Sequence, residues 1–279
     1  MNAPSVLKTG SQVVLVAAIA VVASLSPARD EPPAAPAPAD VPAAPVAGLP
    51  DAVAAFFRAE CPNGRTGPRA ATDLKPSYVC ESPDRTLTVR LLAEGPLSQA
   101  GATEALLRVT DSRRSHAEGF GYATLMRRNA AGWAPLRRVM DSVDSLDVLA
   151  TLHRKDGRDL LFACDQGCWQ GCCAGACFAL DVNAPDRRVP AIDTFDGSDV
   201  AASTYRVRSV RGVELRDVDR DGVPDLVVRL HVESGRLVAG KDAPVRKAGV
   251  SKNLEVKLRF DGSTLKPVKP IPACRGCEC

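Results

Sequence analysis

The sequence predicts a mainly β fold: an antiparallel hairpin and meander assembly with a short N-terminal helix and disulfide-stapled loops. Three observations point to it. Residues 253–260 alternate polar Asn253, Glu255, Lys257 and Arg259 with apolar Leu254, Val256, Leu258 and Phe260, the period of a strand with one buried face. Such runs are separated by turn signals: Asp261-Gly262 leads into residues 264–268, and Asn129-Ala130-Ala131-Gly132 joins 122–128 to 133–140. Ten cysteines, an even number, suit an exported chain held by disulfides.

In chain order, the first 28 residues hold one basic residue, Lys8, no acidic residue, and an apolar run over 13–25 that ends in Ser26, Pro27 and Ala28. This is the pattern of a secretory signal peptide, with cleavage expected after Ala28. The run has 13 residues, short of the roughly 20 that a membrane-crossing helix needs, so no membrane span is expected after cleavage. Residues 29–50 form a Pro/Ala-rich linker. The stretch from Pro27 to Pro50 contains eight prolines and eight alanines, a composition that favours extended conformations and builds no core. At roughly 3.1 Å per residue it would reach about 70 Å.

A β-rich, cysteine-containing domain is expected over 51–279. Pro50 and Asp51 are start signals for a helix over 51–59, with Val53, Phe56 and Phe57 on one face. Little helical periodicity follows. Residues 86–92 alternate as a strand, and strand segments joined by turns argue for hairpins laid side by side.

Lys plus Arg number 36 and Asp plus Glu 33, a formal net charge of +3. That balance gives no field to draw the chain to nucleic acid or an anionic membrane. Arg206, Arg208 and Arg211 read as a solvated strand face.

The most specific chemistry lies at residues 217–225, where Asp217, Asp219, Asp221, Gly222 and Asp225 spell D-x-D-x-D-G-x-x-D. Carboxylates at alternate positions, with a glycine for a sharp turn, suit calcium, which takes six to eight hard oxygen ligands. A helix-loop-helix calcium hand requires a glutamate at the twelfth loop position, which here is Val228. Strand-like residues 213–215 and 226–232 flank the loop, so it joins two strands. Segment 148–162 repeats the same order of strand, Asp-Gly turn and Asp-Leu, with Gly157 and Gly222 65 residues apart. Leu152 and Arg154 replace the first two aspartates of that copy, so it should bind no ion.

The stretch LRDVDRDGVPDLVV resembles the calcium loop of FG-GAP and VCBS-type repeats, the units of integrin-like β-propellers. The resemblance covers one intact copy and one degenerate copy and implies a partly propeller-like fold. It implies Ca2+ as the bound ion, held by the side chains of Asp217, Asp219, Asp221 and Asp225 and the backbone oxygen of Val223. Asp193, Asp196 and Asp199 form a second acidic turn, read as a solvated loop.

Cys61 and Cys80 flank a Pro-, Gly- and Arg-rich segment and are expected to pair. Cys164, Cys168, Cys172, Cys173 and Cys177 lie in a glycine-rich loop, and Cys274, Cys277 and Cys279 close the chain. The simplest arrangement lays the tail over the loop, with three bonds between the groups and one inside the loop. Adjacent Cys172 and Cys173 should have different partners. A thiolate site for copper or zinc is the alternative; no histidine lies near either cluster, and export exposes thiols to oxidation. Cys274 and Cys277 also have a redox spacing, though not at the start of a helix.

His116, His153 and His231 lie in unlike contexts, the latter two in strand-like runs, and Trp133 and Trp169 read as packing residues. The sequence has no G-x-S-x-G, H-E-x-x-H, phosphate-binding glycine loop or C-x-x-C-H. Catalysis is therefore not expected, a hydrolase with an unrecognised site being the third reading. The residues point to a periplasmic or secreted calcium-binding module whose partner is an unknown protein or cell-envelope ligand.

Overall fold

The computed structural model describes residues 48–69, 76–115, 121–141, 143–169, 172–199, 203–240 and 244–273. The predicted signal peptide, most of the predicted linker, His116 and the tail cysteines Cys274, Cys277 and Cys279 lie outside the described residues. Among the described residues no helix is long and apolar enough to cross a membrane.

Helix α1 (Asp51–Glu60) starts where Pro50 holds an extended backbone and its carbonyl accepts the Ala54 N–H at 2.9 Å. It ends at Cys61, whose N–H closes on the Phe57 carbonyl at 2.8 Å. Asp51 in the first turn and Arg58 in the last complement the helix dipole. Its apolar residues Val53, Phe56 and Phe57 are buried against the first sheet.

The strands form two antiparallel meanders in which each strand pairs with its sequence neighbours. The first sheet has six strands, β1 (Arg65–Arg69), β2 (Ser77–Glu81), β3 (Thr86–Gly95), β4 (Glu104–Asp111), β5 (Gly121–Asn129) and β6 (Gly132–Asp141). The second has eight: β7 (Leu146–His153), β8 (Asp159–Trp169), β9 (Cys172–Leu180), β10 (Ala191–Asp199), β11 (Thr204–Arg216), β12 (Asp225–Val238), β13 (Val245–Phe260) and β14 (Leu265–Pro267). The hairpin and meander architecture expected from the alternating runs is present. Two sheets of six and eight strands do not establish the propeller likeness.

Alternation along the strands divides the interior into three cores. Ala105, Leu107 and Val109 on β4 pack with the helix, as does the half-buried Trp133. Leu106 on β4 and Leu125 on β5 join Leu161, Phe178 and Leu180 of the second sheet. The third core lies within the second sheet, where Leu160 and Phe162 of β8 meet Leu226, Val228, Leu258 and Phe260 of β12 and β13. The sheet curls to do this. The Lys155 N–H in the β7–β8 turn reaches the Gly262 carbonyl in the β13–β14 turn at 2.8 Å.

Three expectations are corrected. The glycine-rich cysteine segment is a β-hairpin, not a loop: Cys164 pairs in register with Cys177 and Cys168 with Cys173, and each pair is disulfide-bonded. Asp193, Asp196 and Asp199 lie on strand β10, where Asp196 forms an ion pair with Arg246 at 2.6 Å. Arg208 is 4% exposed rather than solvated. It donates to the Pro272 carbonyl at 2.7 Å and holds the C-terminal segment against β11.

Candidate metal centre

The loop between β11 and β12 is positioned by a long antiparallel pairing that brings Leu215 opposite Leu226 and Arg216 opposite Asp225. Gly222 has φ +85° and Arg220 φ +64°. Both lie in the left-handed region that lets a short loop reverse, which glycine adopts freely and arginine does not. Gly157 takes φ +77° in the corresponding β7–β8 turn.

Carboxylate oxygens of Asp217, Asp219 and Asp225 all lie within 4.8 Å of one another. Two oxygens bound to opposite sides of a calcium ion at about 2.4 Å each would be separated by about this distance. Asp217 and Asp219 are exposed, and Asp225 is 1% exposed. The loop is shaped by backbone amides donating to these acids. Asp217 accepts the N–H groups of Asp221 at 3.2 Å and Gly222 at 3.0 Å, and Asp219 accepts that of Asp221 at 3.3 Å. Asp225 accepts Val218 N–H at 2.9 Å and Phe260 N–H at 2.8 Å.

The structure does not bring Asp221 into the group of three. Its carboxylate instead accepts the N–H of Val223 at 2.8 Å. Arg259 on β13 approaches Asp219 at 3.1 Å and supplies one positive charge to the cluster. A hard dication fits this donor set, because each carboxylate oxygen keeps lone pairs beyond the one an amide uses. Such an ion competes with Arg259 for Asp219.

The β7–β8 turn has a buried acid at its exit, with no such cluster among the described residues. Asp159, 3% exposed, bonds His153 Nδ1 at 2.6 Å on the surface of β7. His231 on β12 contacts Glu233 and Asn253, each at 3.2 Å. Glu233 also accepts the Tyr205 hydroxyl, and these hydrogen bonds from Tyr205 and His231 hold its carboxyl below the ordinary glutamate value. Both histidines are strand residues, as the sequence indicated.

Cys61 and Cys80 are bonded as expected. With Cys164–Cys177 and Cys168–Cys173 closed inside the hairpin, four of its five cysteines are used, which overturns the arrangement of three bonds to the tail. Cys172 is disulfide-bonded too, and to a different partner from Cys173. All seven described cysteines are oxidised, which fits a chain that reaches an oxidising compartment. The latch that Asp225 makes to Phe260 was not legible from the sequence; only an aspartate opening an apolar strand hinted at it.

No protein-family model, curated protein or solved structure matches the chain.

Proposed function

We propose that this chain is an exported, disulfide-stabilised β module, periplasmic or secreted, that binds calcium at the β11–β12 loop and serves a binding or structural role. One observation carries the reading: three carboxylates from a single loop converge within 4.8 Å, one of them buried. At an effective dielectric near 20, like charges about 4 Å apart repel by about 4 kcal/mol per pair, and a dication reverses the sign of that interaction. Calcium suits the site better than magnesium because it accepts irregular sets of oxygens, whereas magnesium demands near-octahedral geometry and gives up water reluctantly. The resemblance to FG-GAP and VCBS-type loops supports the same ion.

Soft-metal handling is disfavoured, since every described cysteine is in a disulfide and copper or zinc sites of that kind need thiolates. The test is calorimetric titration of EDTA-treated protein with calcium chloride, alongside thermal melts. The proposal expects binding heat near one ion per chain and a raised melting temperature. Absence of both at millimolar calcium sinks it.

A further inference from the structure

Four connections lie at the same end of the second sheet, those of β7–β8, β9–β10, β11–β12 and β13–β14. Between three of them, excluding the aspartate loop, is a groove of about 210 Å³. Its apolar lining includes Leu160, Ala179 and Leu265, and its polar lining includes Arg154, Arg187 and Lys266 against a single carboxylate, Asp181.

The charges around the groove are unevenly matched. Asp181 pairs with Arg154 at 2.6 Å and Arg158 at 3.5 Å, and Asp156 pairs with the same two arginines at 3.6 Å and 2.8 Å. Lys266 is held at 3.0 Å by Asp261. Arg187, from the β9–β10 connection, makes no side-chain hydrogen bond or ion pair with any described residue, and its backbone N–H is fixed on the Ala184 carbonyl at 3.0 Å. Arg154 adds a buried Nε with no hydrogen-bond partner. A buried N–H of a charged group left unpaired costs about 1 to 3 kcal/mol or more. The groove therefore combines one unmatched positive charge, Arg187, with an unused donor and an apolar floor. This is the make-up of a small-molecule site, with a few polar groups to orient the ligand and apolar surface to bury it.

The geometry points to a binding site for a small organic anion, with its carboxylate or phosphoryl group at Arg187 and Arg154 and its apolar part over Leu160 and Leu265. Guanidinium groups suit such anions because their planar donors match two oxygens at once. The site is independent of calcium, since none of Asp217, Asp219 and Asp225 lines the groove.

The test is calorimetric titration of the full exported chain, disulfides intact and in EDTA, with benzoate, phenyl phosphate and inorganic phosphate. EDTA keeps the result separate from the fate of the calcium reading. The expected result is saturable 1:1 binding of phenyl phosphate or benzoate, tighter than that of inorganic phosphate. Arg187→Ala, at an exposed position with no described partner to disturb, should weaken it about tenfold or more, the worth of one charge-assisted hydrogen bond. Ala184→Trp, on the exposed rim, should block it while leaving the melting temperature in place. No saturable binding of either organic anion at millimolar concentration overturns the site. So does binding that both variants leave unchanged. Inorganic phosphate binding as tightly as phenyl phosphate overturns the organic ligand class.

Discussion

The carboxylate of Asp225 accepts the backbone N–H of Phe260 at 2.8 Å, and so ties the acidic loop at the head of β12 to the end of β13. The other oxygen of the same carboxylate holds the N–H of Val218 at 2.9 Å, on the far side of the loop. One buried side chain thus closes the loop on itself and fastens it to the next strand. Asp225→Ala leaves two amides without their acceptor, and the buried Phe260 N–H cannot turn to water. The expected loss is about 2 to 4 kcal/mol of unfolding free energy. Asp225→Asn keeps one acceptor oxygen and should cost about half as much. Urea unfolding of both variants in EDTA checks the ordering, and equal stabilities would show that the latch is idle.

Asp217→Asn separates a loop that needs an ion from one that its own amides hold. Without calcium, the change relieves repulsion and keeps one acceptor oxygen, leaving one of the exposed Asp221 and Gly222 amides to water, so stability should move by less than about 1 kcal/mol. With calcium at a hundred times its dissociation constant, the parent chain should gain about 2.7 kcal/mol. The variant should lose most of that gain. Thermal melts of both proteins in EDTA and in calcium give the four values needed. Parallel responses of the two chains to calcium would remove Asp217 from the ligand set.

Much of the fold was legible because its strands announce themselves by period. The run over 253–260 lies on β13, and Asn129 to Gly132 closes the β5–β6 hairpin with those two residues paired. Helix α1 begins at the predicted Asp51 and ends one residue beyond the predicted end. The cysteine hairpin was missed because Gly, Ala and Cys carry almost no amphipathic contrast. Its register is seen instead in the disulfides between facing residues. Asp193 to Asp199 failed for a related reason: aspartate and glycine are poor strand formers in isolation, yet β9 and β11 pair with both edges of β10. In the acidic loop, spacing identified the acids but could not say that Asp221 turns to the Val223 N–H while the other three converge. Arg208 was misread because nothing in its neighbours signals the C-terminal segment that covers it.

Gly64 tests how tightly the Cys61–Cys80 bond is seated under the helix. A Cβ at Gly64 would lie 2.2 Å from the Cys80 sulfur and 2.3 Å from the Cys61 sulfur. Cys80 is fully buried and Cys61 is 5% exposed, so the sulfurs have little room to withdraw. Gly64→Ala should destabilise by about 1 to 3 kcal/mol, the usual range for overpacking. Replacing both cysteines by serine opens a link across 19 residues, for which the chain-entropy estimate is about 3 kcal/mol. In that background Gly64→Ala should cost much less, because the obstructing atoms no longer sit at a fixed bond. A double-mutant cycle measured by urea unfolding reads the coupling, and additive effects would show that the clash is relieved elsewhere.

Glu104 on β4 should make part of the stability depend on pH. Its side chain is fully buried and meets Arg127 at 2.6 Å, with the Ser98 hydroxyl and N–H donating to it, each at 2.6 Å. Burial pushes the carboxyl up, but the bonds from Ser98 and Arg127 outweigh it and hold the group below its ordinary value of 4.5. The folded state therefore binds this proton less readily than the unfolded chain. The stabilisation is present above about pH 4.5 and is lost as pH falls through the folded value. Glu104→Gln keeps the shape but gives up the charge. At pH 7 it should cost about 2 to 3 kcal/mol, the scale of hydrogen bonds to a charged group, while Arg127, a third exposed, turns to solvent. The gap between the two proteins should narrow as the pH drops from 5 to 3. Urea midpoints across that range measure it, and a gap that stays constant would mean that the Glu104 charge does not contribute.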